Sequence, residues 1–557
     1  MRVTTALRRQ RNDLVVLGGG LSGLTTAYYL SRSLKDLSRT GGEGGEISGG
    51  TRIYLLEKTD RFGGWINSNR IITSHSDHGS RGRSLVFESG PRSLRSNGLA
   101  GLTTLELVQK IGLREAMIVI PKDHPSAKNR YIYSGAGLRR LPSSLADLVL
   151  TTFKQPTPKI LQSLLRDMTR ARDDFEIEDE SIKSFLERRF GGWIGEELVS
   201  GLVHGIYAGD YGQLSAKSTI FGPIWNLERR HGGVIRGLMS NHDDNNNRNS
   251  QRALEQEQEL KRLKMAIEPG LQNCSVWGLR GGLESLVKSL RNHLSREDNV
   301  VLMGHQEVTS ILRNDQSSYN VGSPPIVTNS ETFGPFQHVF SCLAPRVLKA
   351  CLPPDFKETF VDLSHNPSVT VAVVNLAYDC PNRRRVNPLG NSFGYLLPAS
   401  VGLDLNPHRA LGVVFDSDMM PGIDNRGTAP GNGSDGGVEK MTVMLGGHHY
   451  HPEGNCEVPG SDQLVYQAIK TVRLQLGIEQ EPFYAHAHLQ KDCIAQYLVG
   501  HHRRMSNLHQ GLSGKNLSVL GAGFGGVGVN DVVLGCKEVV ENFARGRSCT
   551  GLEKFCN

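Results

Sequence analysis

A glycine-rich turn near the start of the chain has the spacing of a phosphate-binding turn. Gly18, Gly20 and Gly23 follow a short apolar segment at 14–17 and precede apolar residues at helical spacing. In such a turn the first glycine permits the tight bend, the second lets the backbone approach a pyrophosphate, and the third lets the helix pack on the strand. The positive N-terminal end of the helix then faces the phosphate. Taken alone, the spacing also fits a turn that only joins a strand to a helix.

An acidic residue and a second glycine turn indicate which nucleotide this would be. Glu57 ends a second apolar segment, where a carboxylate can bind a ribose hydroxyl. It lies farther beyond Gly23 than the usual ~20 residues, because a glycine-rich tract at 39–50 is inserted between them. Gly63 and Gly64 follow, and their backbone N–H groups would return toward the pyrophosphate and the ribityl chain. A nicotinamide nucleotide does not require this second turn, so the two motifs together favour FAD over NAD.

Other catalytic sets are less well supported by the sequence. His448, His449 and His451 cluster, and His486 and His488 alternate in a strand-like run, but no carboxylate or cysteine completes a plausible metal set. No Ser-His-Asp order or pair of carboxylates stands out either, which agrees with a cofactor performing the difficult step. We therefore expect no metal site.

Composition limits the class of protein. The chain has 557 residues, 38% hydrophobic and 21% charged, which is typical of a globular protein with two or three domains. Its nine cysteines form no CxxC pair, so we expect reduced thiols and no disulfide framework. The net charge of +7 comes without a Lys/Arg run, which argues against nucleic-acid binding. No apolar stretch approaches the ~20 residues that span a bilayer, so we expect a soluble or peripherally attached protein.

The elements that must position these residues follow from the apolar pattern. We expect a strand at 14–17 and a helix at 21–33, a helical region at 140–235, strands within 299–345 and 368–416, and a strand at 517–523 before a helix from about residue 531. The first and last parts would share one sheet. Three polar tracts, 39–50, 240–260 and 421–438, are predicted to be flexible insertions.

Residues 1–12 contain four arginines and no acid. This composition is typical of a mitochondrial targeting segment. A frayed basic terminus before the first strand is the alternative.

Eight segments, in order along the chain, resemble the protoporphyrinogen oxidase family of the eukaryotic, mitochondrial kind. They are LGGGLSGL at 17–24, EKTDRFGGWINS at 57–68, FESGPRSLR at 87–95, NRYIYSGAGLRRLPSS at 129–144, WGLRGGLESL at 277–286, VAVVNLAY at 371–378, MTVMLGG at 441–447 and LGAGFGGVGVND at 520–531. The polar tracts change loop lengths and remove none of these motifs. This family lies within the larger superfamily of FAD-dependent amine oxidases.

The resemblance implies an α/β (α+β) fold in three parts. A discontinuous Rossmann-type FAD domain would comprise 13–100, 275–312 and 505–547. A largely helical, membrane-associating domain would comprise 101–238. A substrate domain on a mixed sheet would comprise 313–504, with parts of the region before residue 130.

The resemblance also implies the residues of two binding sites. The flavin contacts would be Gly18, Gly19, Gly20, Leu21, Ser22, Gly23, Glu57, Trp65, Gly90, Pro91, Arg92, Ser93, Val308, Ala522, Val527, Gly528 and Val529. The substrate contacts would be Arg130, which would pair with a propionate, and the apolar Phe393, Leu396 and Met444. Without the resemblance, Arg130 would pass for a solvated surface charge and the apolar residues for ordinary core.

The activity implied is oxidation of a porphyrinogen by FAD, with oxygen as the final acceptor and hydrogen peroxide as product. The flavin would take hydride from a meso carbon, so the protein need not supply a strong base. The family further implies a homodimer at the mitochondrial inner membrane, and leaves open a hand-over of product to ferrochelatase. Two alternatives share the glycine motifs: another flavoenzyme, such as an amine oxidase or a carotenoid desaturase, and a flavin-free binding protein of the Rab GDP-dissociation-inhibitor type. The amine oxidases usually tether FAD to a cysteine near the C-terminal turn, and here none precedes Cys536.

Overall fold

The structure is a computed structural model that describes residues 12–40, 50–72, 84–141, 158–170, 177–240, 251–312, 326–353, 356, 361–380, 384–424, 437–450, 457–547 and 549–556. Almost all of the predicted targeting segment 1–12 and most of the tracts 39–50 and 421–438 lie outside these ranges. Within the described ranges, no helix is long and apolar enough to cross a membrane.

Nineteen strands are present in the described residues. In chain order they are β1 (Leu14–Leu17), β2 (Ile53–Leu56), β3 (Ser68–Ile72), β4 (Ser84–Glu88), β5 (Met117–Pro121), β6 (Arg130–Ser134), β7 (Gly137–Arg140), β8 (Cys274–Leu279), β9 (Val300–Met303), β10 (Val308–Ile311), β11 (Ile326–Thr328), β12 (Thr332–Phe333), β13 (His338–Ser341), β14 (Ser368–Asp379), β15 (Gly394–Leu396), β16 (Ala410–Val414), β17 (Val438–Gly447), β18 (Tyr484–Ala495) and β19 (Leu517–Val519).

The helices of the described residues are α1 (Leu21–Thr40), α2 (Gly98–Lys110), α3 (Pro125–Lys128), α4 (Pro158–Thr169), α5 (Ile182–Phe190), α6 (Gly192–Ile194), α7 (Ser200–Tyr207), α8 (Gly222–His231), α9 (Val234–Met239), α10 (Gln251–Ala266), α11 (Pro269–Gln272), α12 (Glu284–Leu294), α13 (Pro345–Cys351), α14 (Asp416–Met419), α15 (Ser461–Leu476), α16 (His501–Leu512), α17 (Ala522–Gly525) and α18 (Val529–Ala544). A π-helical turn, Gly195–Val199, joins α6 to α7, and 3-10 turns lie at Arg114–Ala116, Val361–His365, His448–Tyr450 and Glu553–Phe555.

The chain packs as two compact units, and unit 1 comprises 1–66, 286–366 and 503–557. Its main sheet has the strand order β19-β13-β1-β2-β9, and every neighbouring pair is parallel. All four residues of β1 are buried, as is typical of a parallel strand covered on both faces. Helices α1 and α18 pack against each other in this unit. The first and last parts of the chain therefore share one sheet, as predicted.

Unit 2 comprises 67–285 and 367–502. Its seven-stranded sheet has the order β18-β14-β17-β16-β15-β6-β7, in which only β15 and β6 form a parallel pair. One face packs against α15 through residues such as Val374, Val443 and Leu464. Strands were predicted within 368–416, and β14 confirms one of them. Together the two sheets confirm the predicted α/β (α+β) class.

Helices α4 to α9 of unit 2 are joined by a buried network of charges. Arg188 pairs with Glu180 at 2.5 Å and with Glu228 at 2.7 Å, and Arg189 pairs with Glu228 at 2.6 Å. Asp167 of α4 accepts a hydrogen bond from the backbone N–H of Ile235 at the start of α9. These bonds connect α5 to α8 and α4 to α9, and Arg189 of α5 lies 3.7 Å from Asp167 of α4.

The unit boundaries differ from the domain boundaries that we expected. Residues 67–100 and 275–285, expected in the flavin domain, pack in unit 2. Residues 326–353, expected in the substrate domain, pack in unit 1, because β13 lies between β1 and β19 in the parallel sheet. The helical region packs as part of unit 2.

Part of one predicted flexible tract is a regular helix. Residues 251–260 belong to α10, while 241–250 lie outside the described residues. The sequence of α10 is rich in Glu, Gln, Lys and Leu, which are strong helix formers. Its exposed face carries a Glu257–Lys261 pair, and Arg262 reaches Glu106 of α2 at 2.9 Å. Leu263 is fully buried, so the helix is fixed by packing as well as by charge.

Candidate functional site

The first glycine turn has the tight geometry that its spacing predicts. Gly18 has a φ of +96°, and its N–H donates to the carbonyl of Leu56 at 2.8 Å. A Cβ on Gly23 would lie 1.9 Å from the carbonyl oxygen of Gly18, so only glycine lets α1 begin this close to the turn. The turn therefore delivers the N-terminus of a 20-residue helix to the carboxyl end of β1.

Glu57 lies at the end of β2 and contacts the same turn. One carboxylate oxygen accepts a hydrogen bond from the N–H of Gly19 at 2.8 Å. The other accepts from the N–H and the hydroxyl of Thr59, both at 3.0 Å. A carboxylate has about four lone-pair positions, so a ribose hydroxyl can still be accommodated. Glu57 thus both fixes the turn and remains able to bind the nucleotide.

The second glycine turn packs on the first. The N–H of Gly63 donates to the carbonyl of Gly19 at 2.9 Å. A Cβ on Gly64 would lie 3.1 Å from the Cα of Gly20, so the two backbones approach closely. Arg61 donates to the carbonyl oxygens of Ile66, at 3.1 Å, and of Gly64. The side chain of Trp65 is 46% exposed beside this turn.

A third glycine-rich turn, in the segment 520–531 near the C-terminus, lies at the same end of α1. Gly521 has a φ of +104°, and a Cβ there would lie 2.8 Å from the hydroxyl of Ser22. Ala522 follows directly. Val527 and Gly528 precede α18, which begins at Val529. Two helix N-termini, those of α1 and α18, therefore come from motifs predicted to contact flavin, and each carries the positive end of a helix dipole.

Val308 lies at the start of β10 and packs on the apolar core of unit 1. Its carbonyl accepts a hydrogen bond from the thiol of Cys351 at 3.2 Å. The Val308 backbone is thereby fixed relative to α13.

The remaining predicted flavin contacts, Gly90 to Ser93, lie in unit 2. Arg92 is 7% exposed and pairs with Asp416 at 2.8 Å. Its Nη2 atom is buried and has no hydrogen-bond partner among the described residues. Asp416 also accepts a hydrogen bond from the hydroxyl of Thr442 at 2.6 Å. The N–H groups of this nitrogen are therefore not used by any hydrogen bond within the described residues.

The structure brings the predicted apolar substrate contacts Leu396 and Met444 onto one face of the unit 2 sheet. Leu396 lies opposite Gly412, and Gly412 lies opposite Met444 on the next strand. Directly paired residues project to the same face of a sheet. Since Gly412 has no side chain, the side chain of Leu396 fills the space over it, 3.2 Å from the Cβ that an alanine would add.

Arg130 projects to the same face. Leu396 pairs with Ile132, and Arg130 lies two residues before Ile132 on β6. The guanidinium of Arg130 lies 5.1 Å from the centre of the Phe393 ring. Its Nε is buried without a hydrogen-bond partner among the described residues. Burial, with a smaller effect of Arg95, lowers the pKa of Arg130 to about 10.

Three histidines, of which His204 is buried and His448 and His449 are half-buried, stack near Leu396. The ring of His204 lies 5.1 Å from that of His448, and the rings of His448 and His449 are 3.8 Å apart. His204 is within 2.6 Å of the carbonyl oxygen of Leu397. Burial, followed by neighbouring histidines, lowers the pKa of His204 to about 4 and that of His449 to about 3. Within the described residues, no group of three or more His, Cys, Asp or Glu side chains is placed to hold a metal ion.

Sequence reasoning missed two polar residues of unit 2. Asp416 pairs with Arg92 and lies just after the buried strand β16. A polar residue just after a buried strand is the sequence signal that could have identified it. Glu88 precedes the Gly90–Ser93 loop and is buried. Its carboxylate accepts from the hydroxyl of Ser68 at 2.7 Å and from the N–H of Leu283 at 2.6 Å. Burial raises the pKa of Glu88 to about 7.

The glycine turns of unit 1 fit a flavin nucleotide. Two turns whose backbones are in contact leave no side chain between them, and α1 begins where a pyrophosphate would lie. The carboxylate that binds the turn comes from the end of the neighbouring strand β2, as an adenosine ribose requires. The flavin itself would be held by these turns and by the start of α18.

Comparisons with known proteins agree. A sequence profile described as flavin containing amine oxidoreductase matches residues 21–539. The chain is 30% identical over 540 residues to the protoporphyrinogen oxidase of Schizosaccharomyces pombe, covering 94% of this chain and 96% of that protein. It is 31% identical over 527 residues to the protoporphyrinogen oxidase of Homo sapiens, covering 93% and 96%. A solved structure from Exiguobacterium sp. 255-15 shares the fold, with a TM-score of 0.65, 20% identity and coverage of 97% and 100%.

The profile covers most of the chain and includes Gly23, Glu57, the second glycine turn at Gly63 and Gly64, and the start of α18. The cofactor that these residues fit is FAD. The chain belongs to the flavin-containing amine oxidoreductase family and is an FAD-dependent oxidoreductase similar to the protoporphyrinogen oxidases.

Proposed function

We propose that this chain oxidises protoporphyrinogen IX to protoporphyrin IX, with oxygen as electron acceptor and hydrogen peroxide as product. This would be the penultimate step of haem biosynthesis. The relatives named protoporphyrinogen oxidase support the substrate, since they are matched over nearly their whole length. Each turnover would remove six hydrogen atoms from the ring in three rounds and reduce three molecules of oxygen.

The observation that carries this proposal is the position of Arg130. Its guanidinium lies on the sheet face that also carries Leu396 and Met444, with the Phe393 ring beneath it. Arg130 is half-buried, and a cation whose buried Nε has no hydrogen-bond partner among the described residues is costly unless an anion pairs with it. A large apolar ring that bears propionates fits this face, because its macrocycle contacts the apolar side chains and a carboxylate pairs with Arg130.

The residues of the chain have holding and orienting roles in this reaction. When bound, FAD supplies the acceptor for hydride from a meso carbon and returns the electrons to oxygen. Arg130 would fix one edge of the macrocycle, while Leu396 and Met444 would contact its apolar part. The pyrrole N–H groups release the accompanying protons to solvent, so no strong base is required from the chain.

Other chemistries on this fold suit the site less well. An amine substrate is cationic, and Arg130 and Arg95 would repel it, since the charge of Arg95 already acts on Arg130. A flavin-free binding protein would have no need of two close-packed glycine turns, and the yellow colour of bound FAD in the purified chain would exclude it.

The decisive experiment is an oxygen-dependent fluorescence assay with protoporphyrinogen IX. We expect porphyrin fluorescence to appear much faster than in the autoxidation control, with peroxide formed at three per porphyrin. An FAD-loaded protein that gives no more than the autoxidation rate would show that the substrate is wrong.

We extend the proposal to a peripheral position on the mitochondrial inner membrane. Exposed apolar side chains cluster on two helices that pack together, with Leu161, Leu165 and Met168 on α4 and Leu238 and Met239 on α9. Such an apolar surface suits the interface of a membrane. Fractionation should find the protein in mitochondrial membranes and release it with carbonate, whereas a cytosolic protein would contradict the proposal.

Homodimer formation and hand-over of the product to ferrochelatase complete the proposed assembly. Sedimentation of the FAD-loaded chain would test the first. Transfer of porphyrin in the presence of an excess of a porphyrin-binding competitor would test the second.

A further inference from the structure

The loop 385–392 of unit 2 leads directly into Phe393, whose ring lies beneath the guanidinium of Arg130. Arg385 begins this loop, and its Nη1 donates to the side-chain oxygen of Asn391, near the end of the loop, at 2.7 Å. Within the loop, the side-chain amide of Asn387 donates to the carbonyl of Gly390 at 2.9 Å. The side chain of Arg385 therefore closes the loop from one end to the other.

The other two guanidinium nitrogens of Arg385 bind buried carboxylates. Nε donates to Glu439 of β17 at 2.9 Å, and Nη2 donates to Asp418 of α14. Asp418 and Glu439 are 6% and 2% exposed. Each nitrogen of Arg385 thus has a different partner, an arrangement that a planar guanidinium permits and the single nitrogen of a lysine does not.

The same two carboxylates also bind the backbone and side chains of the loop. Glu439 accepts from the N–H groups of Val386 and Asn387 at 2.6 and 2.7 Å. Asp418 accepts from the side-chain amide of Asn387 at 2.9 Å. Arg385 is the cation that both carboxylates share, and a buried carboxylate is costly without a paired cation. The position of the loop therefore depends on Arg385.

On its other side, the loop is bonded to the segment that carries Arg130. The side-chain amide of Asn129 donates to the carbonyl of Asn391 at 2.9 Å, and the N–H of Phe393 donates to the carbonyl of Asn129 at 2.9 Å. Arg130 follows Asn129 and lies opposite Gly394 in the pairing of β6 with β15. A continuous set of hydrogen bonds thus runs from Arg385 through Asn391 to the backbone beside the Phe393 ring and Arg130.

We infer that Arg385 is a positioning residue for the proposed substrate site, because it fixes the loop 385–392 and thereby holds the Phe393 ring beneath Arg130. The inference deepens the proposed function and rests on it. The role of Arg385 is indirect: a ring held in place restricts the orientations of the guanidinium above it. A guanidinium with fewer orientations loses less conformational entropy when it pairs with a propionate.

The test uses Arg385→Lys, which keeps a cation between the two carboxylates but cannot make all three bonds. We expect KM for protoporphyrinogen IX to rise about three- to tenfold with kcat unchanged, a smaller change than in Arg130→Ala, because only part of the charge-assisted bond is lost. Asn391→Ala removes an exposed side chain at the end of the loop and should raise KM less. Arg473→Lys is the matched control. Arg473 of α15 also pairs with two carboxylates, Glu479 and Glu481, and its side chain is 25% exposed, against 29% for Arg385.

A double-mutant cycle separates positioning from a general loss of stability. In the Arg130→Ala background, Arg385→Lys should raise KM no further, because the guanidinium that it positions is absent. An equal rise in both backgrounds would show that Arg385 acts independently of Arg130 and would overturn the inference. A KM that stays within about twofold of the unaltered chain in Arg385→Lys would also overturn it.

Amide hydrogen exchange provides a readout that needs no substrate. The Phe393 amide should exchange faster in Arg385→Lys and in Asn391→Ala than in the unaltered chain, and Arg473→Lys should leave its exchange unchanged. Unaltered protection of this amide in Arg385→Lys would overturn the inference whatever the kinetics show. If the chain neither oxidises protoporphyrinogen nor binds protoporphyrin, the proposed function fails, and exchange alone then decides whether Arg385 positions Phe393.

Discussion

Two glycines of the first turn are needed for different reasons. A Cβ on Gly20 would meet the Cα of Gly64 at 3.6 Å, which is an ordinary contact, whereas one on Gly23 would collide with the carbonyl oxygen of Gly18. The protein alone therefore explains why Gly23 must be glycine. At Gly20, the requirement comes from the phosphate that approaches the backbone.

Replacing these glycines should separate cofactor binding from folding. We expect Gly20→Val to fold and to purify colourless, because its side chain would displace the pyrophosphate. Gly23→Ala should lower the melting temperature of the protein itself. Flavin absorbance and thermal unfolding measure the two effects, and Gly270→Ala, which adds a Cβ in open space, is the control. If Gly20→Val retained stoichiometric FAD, the pyrophosphate of FAD would have to bind elsewhere.

Replacing Arg130 should affect substrate binding more than turnover. The proposed ion pair lies far from the reacting meso carbon, so it should stabilise ground and transition states alike. A charge-assisted bond contributes about 1.5 to 3 kcal/mol, so Arg130→Ala should lower kcat/KM roughly ten- to over a hundredfold through KM. Arg130→Lys should recover part of the loss. If kcat/KM changed by less than twofold while FAD stayed bound, Arg130 would be an ordinary surface charge.

At the scale of elements, the β3–β4 hairpin depends on a buried carboxyl. Glu88 ends β4, and its side chain is bonded by Ser68 at the start of β3 and by the backbone at Leu283. Burial raises its pKa from the ordinary 4.5 to about 7. Between these pH values the folded state holds a proton that the unfolded state releases. The contribution of Glu88 to stability is therefore fully present below pH 4.5 and is lost as pH rises through 7.

We expect Glu88→Gln to remove this pH dependence. The amide can still accept from the N–H of Leu283, and it does not ionise. Urea unfolding of the variant at pH 5, 6 and 7 should give a free energy that declines less with pH than that of the unaltered chain. Glu115→Gln, at an exposed position, is the matched control. Equal slopes in all three proteins would mean that Glu88 is charged throughout.

Elements that depend on residues close together in sequence could be predicted, and those that depend on distant residues could not. The Gly18–Gly23 turn and β14 are of the first kind, so the glycine spacing and the apolar pattern were sufficient to predict them. The position of β13 between β1 and β19 depends on pairing between distant segments, and the apolar pattern of β13 does not specify its partners. Helix α10 was missed because its Glu, Gln and Lys residues are as typical of disordered tracts as of helices. The Arg92–Asp416 pair joins residues far apart in sequence, and no local pattern indicates it.

At the scale of the whole molecule, the buried His204 and the half-buried His449 should make the protein sensitive to acid. Burial lowers the pKa of His204 to about 4 and that of His449 to about 3, from the ordinary 6.5. Folding keeps these rings neutral while the unfolded chain would protonate them. Their contribution is therefore fully present above pH 6.5 and is lost as pH falls toward 4, opposite in sign to that of Glu88.

His449→Gln should reduce this sensitivity. One fewer proton is then taken up on unfolding, so the slope of unfolding free energy against pH should fall by at most about 1.4 kcal/mol per pH unit between pH 6 and 4. Denaturant unfolding measured across this range would show it. His305→Asn, which removes an exposed histidine of unit 1, is the control for the loss of an imidazole. An equal slope in His449→Gln would show that the ring is already charged in the folded protein.

The parallel sheet of unit 1 imposes an order on biosynthesis. Its strands β1 and β19 lie near opposite ends of the chain, and all of unit 2 is encoded between them. At a translation rate of about 5–20 residues per second, β19 is synthesised roughly 25 to 100 seconds after β1. During that time the strands already made have an unpaired edge and α1 lacks α18. A nascent chain should therefore need a chaperone for this apolar sheet, and a ribosome that stops before residue 517 should release a protein unable to retain its flavin.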